Sequence, residues 1–351
     1  MVRLVRSLPV SGSSEVCMAA QYSRPSNFIV QSVGPIAEWA IDWIFLSSAA
    51  ITPVATAAAV YFGFTDAPWL AALCALVAVG AAWGIYARFI APWQLRVKKL
   101  DLSAGKPGAA GASGAEGRPR LKVVFFSDLH LGQFKRQEWA QRVVEAVNAQ
   151  SPDLVLIGGD FLGKTQCCEV AELLMPLRHL RATHGAYAVL GNHDYGIPGC
   201  DHSDELIQLL PQLNIRLLHN ECVAIGEEAL LVGVDELWAG RDNLPGALMR
   251  CHGCPPTTRM VVLGHNPDLM LKLESQRDHP ELKDAFFIFG HTHQGQIYIP
   301  LLPGLAVPIK SRFYRGLHRT RHGALYVSSG CGEHNTPTRL NTWPEIVVFE
   351  I

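Results

Sequence analysis

The sequence predicts an α/β domain preceded by a two-helix transmembrane hairpin, and three observations carry that prediction. From Leu121 onward, short apolar runs alternate with amphipathic stretches, the pattern of a partly parallel sheet with covering helices. Ahead of it stand two uncharged apolar runs, Trp43 to Phe62 and Trp69 to Ala87, each about the length that crosses a bilayer core as a helix. Between them and the domain lies Asp101 to Arg120, rich in Gly and Ala with two prolines and almost no bulky side chains. Such a stretch cannot build a core and reads as a flexible tether. The chain therefore divides into an N-terminal polar segment (1–35), a hairpin (36–92), a juxtamembrane segment with linker (93–120) and a domain over 121–351.

Residues 1–27 are mixed and polar, with Arg3, Arg6 and Arg24, and lack the continuous apolar core of a cleavable signal peptide. Met18 is an alternative start. In the hairpin, Trp39, Trp43, Trp69, Trp83 and Trp93 have the look of interfacial residues, and Pro53 kinks a helix in a way membranes tolerate. The three arginines precede the hairpin and Arg88, Arg96, Lys98 and Lys99 follow it, whereas the turn Gly63 to Pro68 carries only Asp66. By the positive-inside rule both ends lie in the cytoplasm, which makes this a two-pass protein of the inner membrane with its large domain cytoplasmic. Glu38 and Asp42 read as interfacial, because the second run offers no partner charge.

Along the domain, Leu121–Phe126 is a buried strand, followed by a helix around Arg136–Asn148. Asp153–Ile157 is the next strand, then a helix over Glu169–Leu180, the strand Ala186–Leu190 and a helix over Asp204–Leu210. The later runs Ala229–Val234, Met260–Leu263, Ala285–Phe289, Leu325–Ser328 and Ile346–Ile351 have fewer helices between them, and predict a second, more antiparallel sheet packed on the first.

A formal net charge of −1 gives no reason to expect nucleic acid or an acidic surface as partner. The nine cysteines are scattered and odd in number, so no secreted disulfide framework is implied. Cys251-His252-Gly253-Cys254 has a metal-like spacing but no second pair to close a zinc site, and reads as an irregular surface loop. Cys167-Cys168 reads as helix packing.

Five strand ends carry polar clusters: Ser127-Asp128-Leu129-His130, Gly158-Gly159-Asp160, Gly191-Asn192-His193-Asp194, Leu263-Gly264-His265-Asn266 and Gly290-His291-Thr292-His293. In a chain with 14 histidines, one such cluster is unremarkable. Five in the same context are not, since ligands of open α/β sheets bind beyond the C-terminal strand ends. An extended backbone would point Asp128 and His130 the same way, and likewise His291 and His293. Glycines before Asp160 let the carboxylate approach closely. Carboxylate, imidazole and amide oxygen together suit Mn²⁺, Fe or Zn²⁺.

The ordered series SDLH, GGD, GNHD, GHN and GHTH resembles the calcineurin-like metallophosphoesterase superfamily, and within it membrane-associated bacterial phosphoesterases similar to UDP-2,3-diacylglucosamine hydrolase. Tyr326 to Gly330 and Pro344-Glu345-Ile346 add to the likeness. The resemblance implies a four-layer α/β/β/α sandwich with two divalent metals, Mn²⁺ foremost, at the sheet ends. It implies that Asp128, His130 and His293 hold one metal, that Asn192, His265 and His291 hold the other, and that Asp160 bridges them. His193 would face the substrate as the catalytic acid, and a metal-bridging hydroxide would attack a phosphodiester or pyrophosphate.

Two positions depart from the pattern. Many relatives carry a carboxylate three residues after the bridging Asp, where it orients the catalytic His. Gly163 stands there, leaving Asp194 or a backbone carbonyl to do so. Gln294 replaces a common Gly and puts a larger side chain beside the site. Lys310 to His322 is basic enough to grip further phosphates, and reads equally as a solvated loop or a membrane-facing patch. The expected partners are a phosphoester, lipid-linked by the proximity the hairpin provides, and the bilayer itself. Rival expectations are a nucleotide or nucleic-acid phosphodiesterase and a catalytically silent membrane scaffold; oligomeric state is not legible.

Overall fold

Alternation along the buried strands builds the layers. In strand β2 (Lys122–Phe126), Val123 and Phe125 join one hydrophobic cluster while Val124 and Phe126 join another, because successive side chains leave a strand on opposite faces. The computed structural model describes residues 35–102, 120–163, 169–227, 229–251, 259–275, 279–299, 309–310 and 312–351, with side chains from residue 42 onward. The N-terminal arginines, most of the tether, Cys167-Cys168, His252 and Cys254 lie outside the described residues, as do the side chains of Glu38 and Trp39.

Two mixed sheets face each other. The first has the order β1 (Arg96–Leu100), β12 (Glu345–Glu350), β2, β3 (Leu154–Ile157), β4 (Ala186–Ala188) and β5 (Ile215–Leu217). The second runs β10 (Gly316–Thr320), β11 (Gly323–Val327), β9 (Ala285–Phe289), β8 (Arg259–Leu263), β7 (Ala229–Gly233) and β6 (Glu221–Ile225). Phe125, Leu156, Ile288, Tyr326 and Val347 fill the space between the sheets. Helices α3 (Gln137–Asn148), α4 (Val170–Leu174) and α5 (Ser203–Leu209) cover the first sheet through Trp139, Val143, Leu173 and Leu206. Helices α6 (Leu244–Met249) and α7 (Leu269–Ser275) cover the second through Ala247, Met270 and Leu273. The result is the α/β/β/α sandwich.

The second sheet is antiparallel only at its edges. The pairs β10–β11 and β6–β7 are antiparallel, while β11–β9, β9–β8 and β8–β7 are parallel. The expected helix over Glu169–Leu180 stops at Leu174 and continues as a 3₁₀ turn over Met175–His179, where Pro176 has no amide to donate. Part of the basic segment Lys310 to His322 is strand β10 rather than loop. Cys222 of β6 and Cys251, just past α6, form a disulfide that cysteine count and spacing did not suggest.

The hairpin is helix α1 (Pro35–Gly63) and helix α2 (Pro68–Ile85), the latter running on through a π turn (Tyr86–Ile90) and a 3₁₀ turn (Ala91–Trp93). Asp42–Gly63 and Pro68–Trp93 span 22 and 26 residues at mean hydropathy 1.6 and 2.0, long and apolar enough to cross a membrane. The helices touch through small residues: a Cβ on Gly84 would collide with Ser48 Oγ. Their outer faces leave Val54, Phe64, Trp69 and Leu76 exposed, unlike helices buried in a soluble core.

The hairpin leads directly into the sandwich. Strand β1, expected only as a juxtamembrane segment, pairs in parallel with β12 from Arg96↔Glu345 to Leu100↔Phe349. Its charges suit an edge strand, and they hid it from hydrophobic periodicity. Lys135 Nζ donates to Pro92 O (2.6 Å), Arg339 N to Ala87 O (2.9 Å) and Thr336 Oγ1 to Asp42 Oδ1 (2.6 Å). Asp42 also lies 3.6 Å from Arg88, so it does have a partner charge just beyond α2.

Candidate metal centre

The five polar clusters follow β2, β3 and β4 of the first sheet and β8 and β9 of the second, so one site spans both sheets. Asp128 (φ 52°), His130 (φ 44°), Asp160 (φ 53°), His291 (φ 68°) and His293 (φ 48°) all have left-handed backbone. The convergence is thus not the work of extended strands, as the i, i+2 spacing suggested, but of strained turns held by their surroundings. Glycine makes the turns fit: a Cβ on Gly290 would strike Ser127 and Asp128, and one on Gly191 would strike Asp160.

Asp128 is fixed by the Ser127 hydroxyl and by the His291 amide, which donates to its Oδ1 at 2.9 Å. His130 Nε2 and His293 Nε2 face each other at 3.0 Å, with Asp128 Oδ1 3.8 Å from the latter. On the other side, His265 Nε2 lies 3.2 Å from His291 Nδ1 and 3.1 Å from Asn192 Oδ1. His265 Nδ1 is fixed by the Gly158 carbonyl at 2.7 Å. Asp160 sits between the two groups, its Oδ2 3.5 Å from His130 Nε2 and 3.3 Å from His265 Nε2. Asp128, His130, His293 and Asp160, His265, His291 are each compact enough to hold one ion.

The donor chemistry fits divalent metals. Burial, reinforced by neighbouring imidazoles, holds His291 and His293 well below the usual histidine range; burial does the same to His130 against the opposing pull of Asp160. Neutral rings that aim nitrogens at one point beside a carboxylate form a site for a cation. Asp160 is held well below the carboxylate range, since His265 and other imidazoles outweigh the cost of burial. His265 is raised well above its usual value, because Asp160 and Glu236 outweigh burial in the opposite sense. Burial lifts Asp128 to about 6.

His193 is half-buried, with its amide donating to Asp160 Oδ1 at 2.9 Å. Its ring packs edge-on to His130, centroids 4.8 Å apart. Asp194 does not take the place of the carboxylate missing at Gly163. Its Oδ1 accepts from the Phe161 and Leu162 amides (2.9 and 3.3 Å) and its Oδ2 from Gly191 N (2.9 Å). It clamps the Asp160 turn to the Asn192 turn. Burial and nearby Asp160 push its carboxyl up to about 8 against those amide donors. Gly163 itself backs onto the His130 carbonyl.

Gln294 does not face the site either; its Nε2 donates to Val327 O (2.8 Å), and it is buried. The basic side chains of 310–322 fan apart: Arg312 toward Glu274, Arg315 over the Tyr298 ring, and Arg319 and Arg321 to the carbonyls of Leu102 and Leu273. They do not converge on the metal centre. Three neighbours of the centre were missed in the sequence. Trp238 packs edge-on against His291 (4.4 Å), Glu236 is buried close by with its carboxyl lifted to about 7 by burial, and His334 packs against His193 (4.6 Å). The first two follow β7 and the third follows β11, so the strand-end rule that found the other clusters would have found these.

Imidazole and carboxylate groups thus gather in adjacent clusters at the shared strand ends of an α/β/β/α sandwich. The family described as calcineurin-like phosphoesterase matches residues 121–295, and the chain belongs to that family. An uncharacterized metallophosphoesterase of Helicobacter pylori is 31% identical over 238 residues, covering 66% of this chain and 60% of the relative. The phosphodiesterase YaeI of Escherichia coli is 28% identical, covering 81% of this chain and 97% of YaeI. A transmembrane protein with metallophosphoesterase domain from Danio rerio is 31% identical, covering 64% of this chain and 52% of that protein. The chain thus spans about 60% of the length of its Helicobacter relative.

Proposed function

We propose that the protein is a membrane-anchored, two-metal phosphoesterase that hydrolyses a phosphodiester or pyrophosphate. Asp128, His130 and His293 would hold one cation, Asn192, His265 and His291 the other, and Asp160 would serve both. The observation that carries this reading is Asp160 Oδ2, within 3.5 Å of His130 Nε2 on one side and 3.3 Å of His265 Nε2 on the other. Bound divalent cations would supply charge neutralisation of the phosphoryl oxygens and activation of water.

The chain's own residues supply the rest. Asp160 Oδ1 holds the His193 backbone, so the same carboxylate that serves the cations places the imidazole beside them. There His193 would hydrogen-bond a phosphoryl oxygen or protonate the departing oxygen. The half-buried ring sits at the mouth of a buried donor set, which suits a group that meets substrate.

The hairpin and its exposed apolar faces support anchoring, as does the likeness to a relative named as a transmembrane protein. Charge asymmetry favours two passes across the inner membrane with the sandwich in the cytoplasm. A lipid-linked phosphoester, of the UDP-diacylglucosamine kind, is the substrate class this anchoring favours. The test is a panel of lipid-linked pyrophosphates, nucleotide diesters and phosphomonoesters, with Mn²⁺ supplied and full-length protein in lipid. Selective turnover of lipid-linked substrates is expected; turnover of nucleotide diesters alone would favour the alternative of a nucleotide phosphodiesterase.

A further inference from the structure

The loop after β11 lies beyond the part of the chain matched by the family, yet it reaches the centre. Its His334 is half-buried, as His193 is, and their rings meet edge to face with centroids 4.6 Å apart. His334 is also 5.8 Å from the His130 ring. Thus two accessible imidazoles stand side by side above a buried one that belongs to the ligand cluster.

The backbone at His334 is tied down from several directions. Gln296 closes on it with both ends of its amide: Oε1 accepts from His334 N (2.9 Å) and Nε2 donates to His334 O (3.1 Å). Gln296 stands three residues past His293, so the turn that supplies two ligand candidates also sets His334. On one side, Glu333 is buried with its Oε1 2.9 Å from both Lys135 Nζ and Arg339 Nε. On the other, Thr336 is joined to Asp42 and to Thr338. Burying Lys135 and Arg339 around one carboxylate is costly and is weak evidence for stability alone. Their remaining donors go to the carbonyls of Pro92, Ser329, Gly330, Gly332 and Cys331, so what the network accomplishes is a fixed loop path past the centre.

We propose that His334 contacts substrate: its imidazole and that of His193 form a clasp for the phosphoryl group presented to the buried ligand cluster. A phosphoryl group next to cations still has oxygens to satisfy, and imidazole rings can offer N–H donors to them. A pair on neighbouring loops fixes orientation as well as contact. The proposal rests on the phosphoesterase reading but makes a separate claim, that phosphate itself is held in part by His334.

The test uses the full chain in detergent with metals bound, comparing wild type, His334→Ala and His334→Gln. Three quantities are read: metal content by elemental analysis, affinity for inorganic phosphate by calorimetry, and kcat/KM on an aryl phosphodiester. The expected result is unchanged metal content, phosphate affinity about 10-fold weaker in His334→Ala, and kcat/KM lower by about 10²-fold. His334→Gln, whose amide still donates, should recover part of the phosphate affinity. Wild-type phosphate affinity in both variants would overturn the clasp while leaving the phosphoesterase reading intact. Loss of metal in His334→Ala would also overturn it, making His334 a ligand. If the wild type cleaves no ester yet His334→Ala still weakens phosphate, the clasp stands and the esterase reading falls. Should His334→Ala fail to fold, His334→Gln is compared with Gln296→Ala, which frees the loop without removing the ring. Unchanged phosphate affinity in both would again count against the clasp.

Discussion

Thr336 Oγ1 donates to Asp42 Oδ1 at 2.6 Å, joining the first hairpin helix to a loop that reaches the metal centre, across 294 positions of sequence. Arg88, at the end of the second helix, lies 3.6 Å from the same carboxylate and donates to Pro337 O at 3.3 Å. The hairpin is therefore built into the loop that carries His334. Thr336→Val should loosen that loop at a cost of about 1.5–3 kcal/mol, the range for a hydrogen bond to a charged group. Activity on an aryl phosphodiester should fall several-fold while metal content stays constant. Unaltered activity in both Thr336→Val and Asp42→Ala would show that the joint has no influence on the centre.

Asp160→Ala should empty both halves of the centre, since one carboxylate faces His130 and His265 alike. Elemental analysis of the wild type should give close to two metal equivalents per chain, and the variant should retain well under one. Turnover should fall by at least about 10³-fold, the scale of losing a principal electrostatic contributor. A variant that keeps its metal and its activity would remove Asp160 from the role assigned to it.

Asp194→Ala distinguishes a clamp from a catalytic orienter. With three amides of the Asp160 and Asn192 turns left without an acceptor, thermal stability should drop by about 3 kcal/mol or more. Metal affinity should fall with it. A pH–rate profile displaced in Asp194→Asn, at unchanged stability and metal content, would instead tie Asp194 to His193.

Burial lowers the Lys135 ammonium from 10.5 to about 8, against the pull of Glu333. Between those values the unfolded chain holds a proton that the folded chain has released, so this residue's contribution to stability rises with pH across that interval. Below about pH 8 both states are protonated and the burial penalty is felt in full. Denaturant titrations at pH 7.5 and 9.5 should therefore show wild type gaining on Lys135→Met. A gap independent of pH would contradict the shift.

The Cys222–Cys251 disulfide bears on topology, because such bonds are rare in a reducing cytosol. If the sandwich is cytoplasmic, as proposed, both thiols should alkylate in intact cells and pair only after oxidation. A pair that resists alkylation in cells, together with an extracytoplasmic reporter signal at the C-terminus, would reverse the orientation.

Much of this protein was legible before any coordinates. Apolar runs located most of the central strands and the hairpin, because a strand buried on both faces and a helix apolar all round each leave a continuous signature. The five polar clusters stood at strand ends, which pointed to one site; the family resemblance then implied Asp128, His130, Asp160, Asn192, His193, His265, His291 and His293, and the structure brings all eight together. What spacing cannot encode is where a carboxylate points once its neighbours compete for it. Asp194 adjoins His193 in sequence but spends both oxygens on backbone amides. Strand β1, too charged to show an apolar rhythm, was decided by a parallel edge on β12. His334 was decided by Gln296, Glu333 and Thr336, whose partners lie far away in the chain. Local sequence carries the ligand types and the strands that deliver them; long-range hydrogen bonds alone decide which further side chains share their space.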